Sequence, residues 1–432
     1  MRVALVNPAW SYAGSIYFGC REPHLPLELG YTDALLRLAG HETLLLDCHL
    51  NATPTEQGCE AIERFGADMT VITTAPSYLF WRCAPPELRV TAAFLRSLGG
   101  RGGRTVAVGP HGSVTPRTTL RKLGVDAVVL GECEHVIAGM AERSNWLGLP
   151  SLAIRNDDAV TITGAPAASR FVDLPPLHWP DTWIGRHQHH HHRFDALPRV
   201  GLGAEVEASR GCPYNCSFCA KIDFRDQYRR RDLATLLVEI DGLIAQGVRY
   251  FYFIDEIFLP QKPLLEALCA RNVSFGVQTR IDLWKPEMLR LLGQAGCVSI
   301  EAGIESLTAE GREALAKRCR LETEDLARLL IEARRHVPFV QANLIGVDQD
   351  EAGLVVYWRN RLIGEGVWAN APVPLYPYPS SPSYRSMWGV PDDDAWERAH
   401  EYYLNTFGHF SDIQNERPVP LAALEASCCA GH

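Results

Sequence analysis

Apolar and polar positions alternate with one rhythm in two long blocks of this chain. From Met1 to about Arg143, short apolar runs occur at Val3–Val6, Thr43–Leu46, Met69–Thr73, Thr105–Val108 and Ala127–Leu130. Between them, Leu27–Leu38, Thr55–Phe65, Pro86–Leu98, Pro116–Leu123 and Glu132–Ala141 carry helical spacing. Strands alternating with helices of this length imply right-handed crossovers and a parallel, doubly wound, Rossmann-like sheet. Such sheets take ligands beyond the carboxyl ends of their strands. The residues at those ends are Asn7-Pro8, Asp47, Thr73-Thr74, Gly109-Pro110-His111-Gly112 and Gly131-Glu132. No G-x-G-x-x-G follows the first strand, so a dinucleotide site is not expected.

A second α/β block runs from about Leu202 to Pro379. Strands are expected at Ala204–Ala208, Tyr250–Ile254, Val273–Gln278, Val298–Ala302, Val340–Ile345 and Trp368–Leu375. Helices are expected at Ala234–Ala245, Lys262–Arg271, Pro286–Ala295, Glu324–Arg334 and Glu351–Gly364. Residues 144–200 lose the alternation and are rich in proline, tryptophan and histidine, which reads as a connector. They include the run His187-Gln-His-His-His-His192, readable as a plain loop or as a metal- or substrate-binding segment. The expected domains are therefore 1–143, a linker 144–200, a second domain 201–380 and a partly helical tail 381–432.

The chain has 432 residues, 47% hydrophobic and 22% charged, which is ordinary for a globular protein with a large core. Its formal net charge of −9 argues against nucleic acid as a partner held by charge. The densest basic run, Arg229-Arg230-Arg231, is expected to cap a helix or face solvent. No stretch of about 18 apolar residues appears, so no membrane span is expected. The 13 cysteines follow no secretory leader, which points to a reducing cytoplasm.

The chemistry concentrates in Glu207-Ala-Ser-Arg-Gly-Cys-Pro-Tyr-Asn-Cys-Ser-Phe-Cys-Ala-Lys221. Cys212, Cys216 and Cys219 are spaced C-x3-C-x2-C, and thiolates at this density are soft ligands for iron–sulfur clusters or zinc. A zinc knuckle needs a second pair of ligands at set spacing, and none follows. Three thiolates leave one iron of a four-iron cubane open to another ligand.

At these residues the chain resembles the radical SAM superfamily, and Phe218 matches the aromatic usual before the third cysteine. The resemblance implies a partial, open (β/α)6 TIM-type barrel. It also implies a 4Fe-4S cluster on Cys212, Cys216 and Cys219, with S-adenosylmethionine (SAM) on the open iron. Reductive cleavage of SAM there yields a 5'-deoxyadenosyl radical. By the same resemblance, Asp255 and Glu256 fall where relatives hold the SAM ammonium, and Gln278 and Arg280 where they hold its carboxylate or ribose. Glu301 is implied as a ribose contact and Asn343 lies on the adenine-binding fifth strand. Ahead of such a core, the N-terminal block looks like a cobalamin-binding domain. Thr73, Thr74, Gly109, His111, Gly131 and Glu132 are the implied cofactor contacts there, with glycines letting backbone approach closely. A histidine ligand to cobalt is not expected: Asp47-Cys48-His49-Leu50-Asn51-Ala52 has alanine in place of the last glycine of D-x-H-x-x-G.

The function implied is methylation of an unactivated carbon of a small metabolite or natural-product intermediate, using that radical and methylcobalamin. A small-molecule substrate and an electron donor such as flavodoxin or ferredoxin are the implied partners. The alternatives are the same cofactors used for ring formation, rearrangement or oxidation, and a cobalamin-binding sensor with a structural cluster.

Overall fold

In the computed structural model, residues 1–16, 21–76, 83–156, 159–187, 201–408 and 417–426 are described. Fifteen strands occur among them: β1 Arg2–Asn7, β2 Glu42–Asp47, β3 Met69–Thr73, β4 Arg104–Val108, β5 Ala127–Val129, β6 Leu152–Asn156, β7 Ala159–Ile162, β8 Leu202–Val206, β9 Ser209–Arg210, β10 Arg229–Arg230, β11 Val248–Phe253, β12 Ser274–Thr279, β13 Cys297–Glu305, β14 Phe339–Leu344 and β15 Trp368–Ala369.

The first sheet has the order β2-β1-β3-β4-β5-β6-β7. Strands β1 to β5 are parallel, and Val3–Val6 pairs with Met69–Ile72 in register. Helices on both faces bury the apolar runs of its central strands, for example Val3, Leu5, Val71, Val106 and Val129. The strand order reverses between β1 and β3, so the crevice above Asn7 and Thr73 is the topological switch point, where doubly wound sheets bind ligands.

The sheet does not stop at residue 143. Strands β6 and β7 extend it with antiparallel pairing, Ala153 opposite Ile162 and Arg155 opposite Val160. Two short apolar runs flank Asn156-Asp157-Asp158, which is a hairpin pattern inside the stretch read as featureless connector. That stretch is also anchored by Trp179, whose indole fills the space over Gly30; a Cβ there would lie 2.5 Å from the ring. Residues 188–200, with most of the histidine tract, lie outside the described residues.

The second sheet has the order β15-β14-β13-β12-β11-β8, all parallel and each strand beside its sequence neighbour. This is the open six-stranded barrel expected. One face carries Val206, Phe251, Phe253, Val277, Ile300 and Ala342, packed under the helices. The other face is polar: Tyr252 donates to Glu301 (3.1 Å), as does Gln278 (3.2 Å). Strand β15 has two residues, not eight, because Pro372 and Pro374 lack the N–H a ladder requires. Pairing resumes only at an isolated bridge between Ile345 and Val373.

Candidate cofactor site

The cysteine loop begins where β8 ends. Ser209–Arg210 pairs antiparallel with Arg229–Arg230, so β9 and β10 form a ribbon that closes the loop at its base. Gly211 makes the turn possible. Its φ is +80°, and a Cβ there would lie 2.0 Å from the Gln227 carbonyl oxygen. Cys216 is buried, and Cys212 and Cys219 are partly exposed. Burial pushes the Cys216 thiol up, while the Lys317 ammonium and the Arg280 guanidinium favour its thiolate. Lys221 donates to the Cys212 carbonyl oxygen (2.6 Å), and Arg280 stacks 4.0 Å over the Tyr214 ring. Three soft donors ringed by cations suit an anionic cluster.

Four arginines near this loop turn inward. Arg210 is fully buried and bonds Glu207 (2.6 Å), Glu134 (2.6 Å) and Glu132 (3.2 Å). Arg225 bonds Glu28 (2.9 Å), Glu207 (3.0 Å) and Glu256 (2.9 Å). Arg229 pairs with Glu132, and Arg231 pairs with Glu239 at 2.8 Å. Only Arg230 of the basic run is exposed; the expectation of a solvent-facing run therefore fails for its neighbours, which neutralise buried carboxylates. Burial works to raise Glu132, but Arg210 and then Arg229 overcome it and hold the carboxyl at about 2. Glu28, Glu132 and Glu134 belong to the first domain and the arginines to the second, so this network clamps the two together.

The implied SAM-contacting residues divide. Both oxygens of Asp255 are taken by the cysteine-loop base: Ala208 N–H at 2.8 Å and Ser209 O–H at 2.5 Å. Glu256 accepts from Gly211 N–H (2.7 Å) and Arg225. Arg280 pairs with Asp282 at 2.8 Å. Gln278, Glu301 and Asn343 share the polar barrel face; Gln341 donates to Asn343.

On the first sheet, Thr73 Oγ1 donates to Asn7 Oδ1 (3.2 Å), and Trp10 Nε1 donates to the same oxygen (2.8 Å). This polar ledge lies at the switch point. His111 is 1% exposed, with Nδ1 3.2 Å from Thr74 Oγ1, Nε2 3.0 Å from the Pro85 carbonyl oxygen and its ring stacked 4.5 Å from Trp396. Burial pushes His111 down to about 3, so the ring is neutral. The glycines admit this chain's own atoms: a Cβ on Gly109 would meet Thr74 Oγ1 at 2.3 Å, and one on Gly131 would meet the Ala167 oxygen at 2.3 Å. Glu132 is committed to arginines. His49 sits in a loop, 3.3 Å from the Trp10 N–H and from the Arg21 carbonyl oxygen.

The loops after β1 and β3 share a buried cluster with the segment that follows the cysteines. Ile16, Ala75 and Ala84 share one buried cluster with Ala220, Phe224, Tyr376 and Tyr378. The Tyr378 hydroxyl in that cluster is buried and has no hydrogen-bond partner among the described residues. Sequence reasoning missed Glu207, Arg225, Lys317 and Tyr378 as site residues. The legible signal was the pair Glu205 and Glu207 on an otherwise apolar strand.

A sheet switch point facing a three-cysteine loop at a barrel mouth defines a protein with two cofactor domains. Sequence profiles agree: the B12 binding domain matches residues 20–141 and the radical SAM superfamily matches residues 206–352. The chain belongs to the radical SAM enzymes that carry a cobalamin-binding domain, whose cofactors are a 4Fe-4S cluster, SAM and cobalamin. It is 23% identical over 336 residues to an uncharacterized methyltransferase of Pyrococcus horikoshii, covering 73% of this chain and 68% of that one. It is 26% identical over 375 residues to the anaerobic magnesium-protoporphyrin IX monomethyl ester cyclase of Cereibacter sphaeroides, covering 81% of this chain and 58% of the cyclase. Its fold resembles the radical SAM methyltransferase TsrM of Kitasatospora setae, solved with cobalamin and a 4Fe-4S cluster bound, with TM-score 0.69, 18% identity, and coverage of 88% and 73%. No helix among the described residues is long and apolar enough to cross a membrane.

Proposed function

We propose that this protein methylates an unactivated carbon of a small metabolite or natural-product intermediate. The observation that carries the reading is the shared buried cluster that joins the loops after β1 and β3 to the segment that follows the cysteines. It sets the ligand crevice of one domain against the cluster site of the other. When bound, the cluster supplies an electron to SAM and cobalamin carries the methyl group.

In this reading Cys212, Cys216 and Cys219 hold three irons. Lys317 and Arg280 favour thiolate and so favour ligation. Asp255 and Glu256 act one step back from SAM, fixing Ala208, Ser209 and Gly211 so that the loop keeps its shape. Gln278, Glu301 and Asn343 offer the polar barrel face to the ribose and adenine of SAM. Asn7 and Thr73 form the ledge for the corrin or its tail, and the Tyr378 hydroxyl is a buried donor for a ligand between the domains. Thr74, Gly109, His111, Gly131 and Glu132 shape that crevice from behind. The clamp of Arg210 and Arg225 keeps water out of the junction. An electron donor of the flavodoxin or ferredoxin kind and a cytoplasmic setting complete the reading.

The test is anaerobic reconstitution with iron, sulfide and hydroxocobalamin, followed by incubation with trideuteromethyl SAM, a metabolite extract and a low-potential reductant such as titanium(III) citrate. The expected result is about four irons and one cobalt per chain, with formation of 5'-deoxyadenosine and S-adenosylhomocysteine and a product carrying three deuterons. A chain that binds no cobalt overturns the proposal. One that cleaves SAM without transferring label is a cyclase or an oxidising enzyme, in line with its likeness to the Cereibacter sphaeroides cyclase.

A further inference from the structure

Three side chains that this function does not use converge on the first barrel strand, on the same polar face as Tyr252. His24 precedes the helix Leu27–Leu38, His187 follows the helix Asp181–Arg186, and Glu205 lies on β8. All are buried, at 4%, 3% and 0% exposure. His24 Nδ1 is 2.5 Å from Glu205 Oε1, and His187 Nε2 is 2.6 Å from Glu205 Oε2. The three donor atoms lie within 4.8 Å of one another, and they are the sole such trio among the described residues.

The tautomer logic favours a cation between them. His187 Nδ1 is 2.9 Å from the Gly203 carbonyl oxygen, so that nitrogen carries a proton. In a neutral ring, Nε2 then turns its lone pair toward an anionic oxygen at 2.6 Å, inside a site closed to water. Two lone pairs in such contact repel. A metal ion removes the conflict, and so does a second proton on the ring. A backbone carbonyl that fixes one imidazole nitrogen while the other points at a carboxylate is the arrangement that orients histidine ligands. Two imidazoles and one carboxylate suit zinc, iron(II) and similar ions, with a further coordination position left open.

We propose that His24, His187 and Glu205 bind a divalent transition-metal ion, separate from the iron–sulfur and cobalamin sites. The ion ties the N-terminal domain, the connector and the edge strand of the barrel at one point. It gives the first histidine of the His187–His192 run a specific ligand role.

The test uses the full chain with its cluster in place, treated with a chelator, dialysed against zinc chloride and desalted. About one zinc per chain is expected, with an X-ray absorption spectrum of two imidazoles plus oxygen. E205Q and H187Q are expected to retain zinc about tenfold less tightly, with iron content unchanged. Absence of bound zinc overturns the proposal and leaves the second proton as the answer. Sulfur in the zinc shell also overturns it, since the metal is then on cysteines; this spectrum needs no variant to fold. So does zinc that persists in a folded E205Q but disappears when His189–His192 are replaced by alanine.

Discussion

Replacing Arg210 by methionine tests whether the interdomain clamp stabilises the fold. The guanidinium is wholly buried and touches three carboxylates. Without it, Glu132 keeps Arg229 and Glu207 keeps Arg225, but among the described residues Glu134 keeps only the Ser169 hydroxyl at 2.5 Å. Removing one partner of a buried ion pair costs about 3–5 kcal/mol, because the remaining charge is stranded. R210M is therefore expected to lose that much at pH 7.5, and E134Q added to it is expected to restore about 1–3 kcal/mol by neutralising the stranded group. The pH dependence has a definite sign. In the native protein Glu132 is held at about 2, below its ordinary 4.5, so its stabilisation is present above pH 4.5 and is lost as pH falls toward 2. In R210M the stranded carboxylate binds its proton more tightly folded than unfolded, so stability falls as pH rises above about 4.5. The deficit of the variant thus grows with pH. Urea unfolding followed by tryptophan fluorescence at pH 5 and 7.5 measures it. A deficit under about 1 kcal/mol at pH 7.5, or one larger at pH 5 than at 7.5, refutes the reasoning.

Gly211→Ala should cost about 1–3 kcal/mol for its φ alone, and the 2.0 Å approach to Gln227 should open the ribbon; iron analysis after reconstitution should show most of the iron lost. His111 is neutral in the fold with its pKa near 3, against 6.5 unfolded, so its stabilisation is complete above pH 6.5 and declines as pH falls toward 3. Between pH 7 and 5 this is worth about 2 kcal/mol, and H111N should flatten the stability–pH curve by that amount in urea titrations. Trp396→Ala removes the ring stacked on His111 and should cost about 3–5 kcal/mol, read as a lowered denaturation midpoint; an unchanged midpoint means the C-terminal helix Ala395–Thr406 is not docked there.

The local pattern was enough to place ten of the eleven parallel strands near their observed ends, because period-2 and period-3.6 apolar spacing is a property of neighbouring residues. The short edge strand β15 departed through two prolines, and the β6–β7 hairpin was legible but masked by its proline- and histidine-rich surroundings. The cysteine motif was likewise local, and it located the cluster loop without help from the fold. What the sequence could not supply was the partner of each buried charge. Asp255 and Glu256 hold the loop base, Arg210 reaches carboxylates 76 and 78 positions away, and His24 meets Glu205 across 181 positions. Such pairs carry no spacing rule. They exist because burial makes an unpaired charge costly, and only the packing of one domain against the other decides which opposite charge lies within reach.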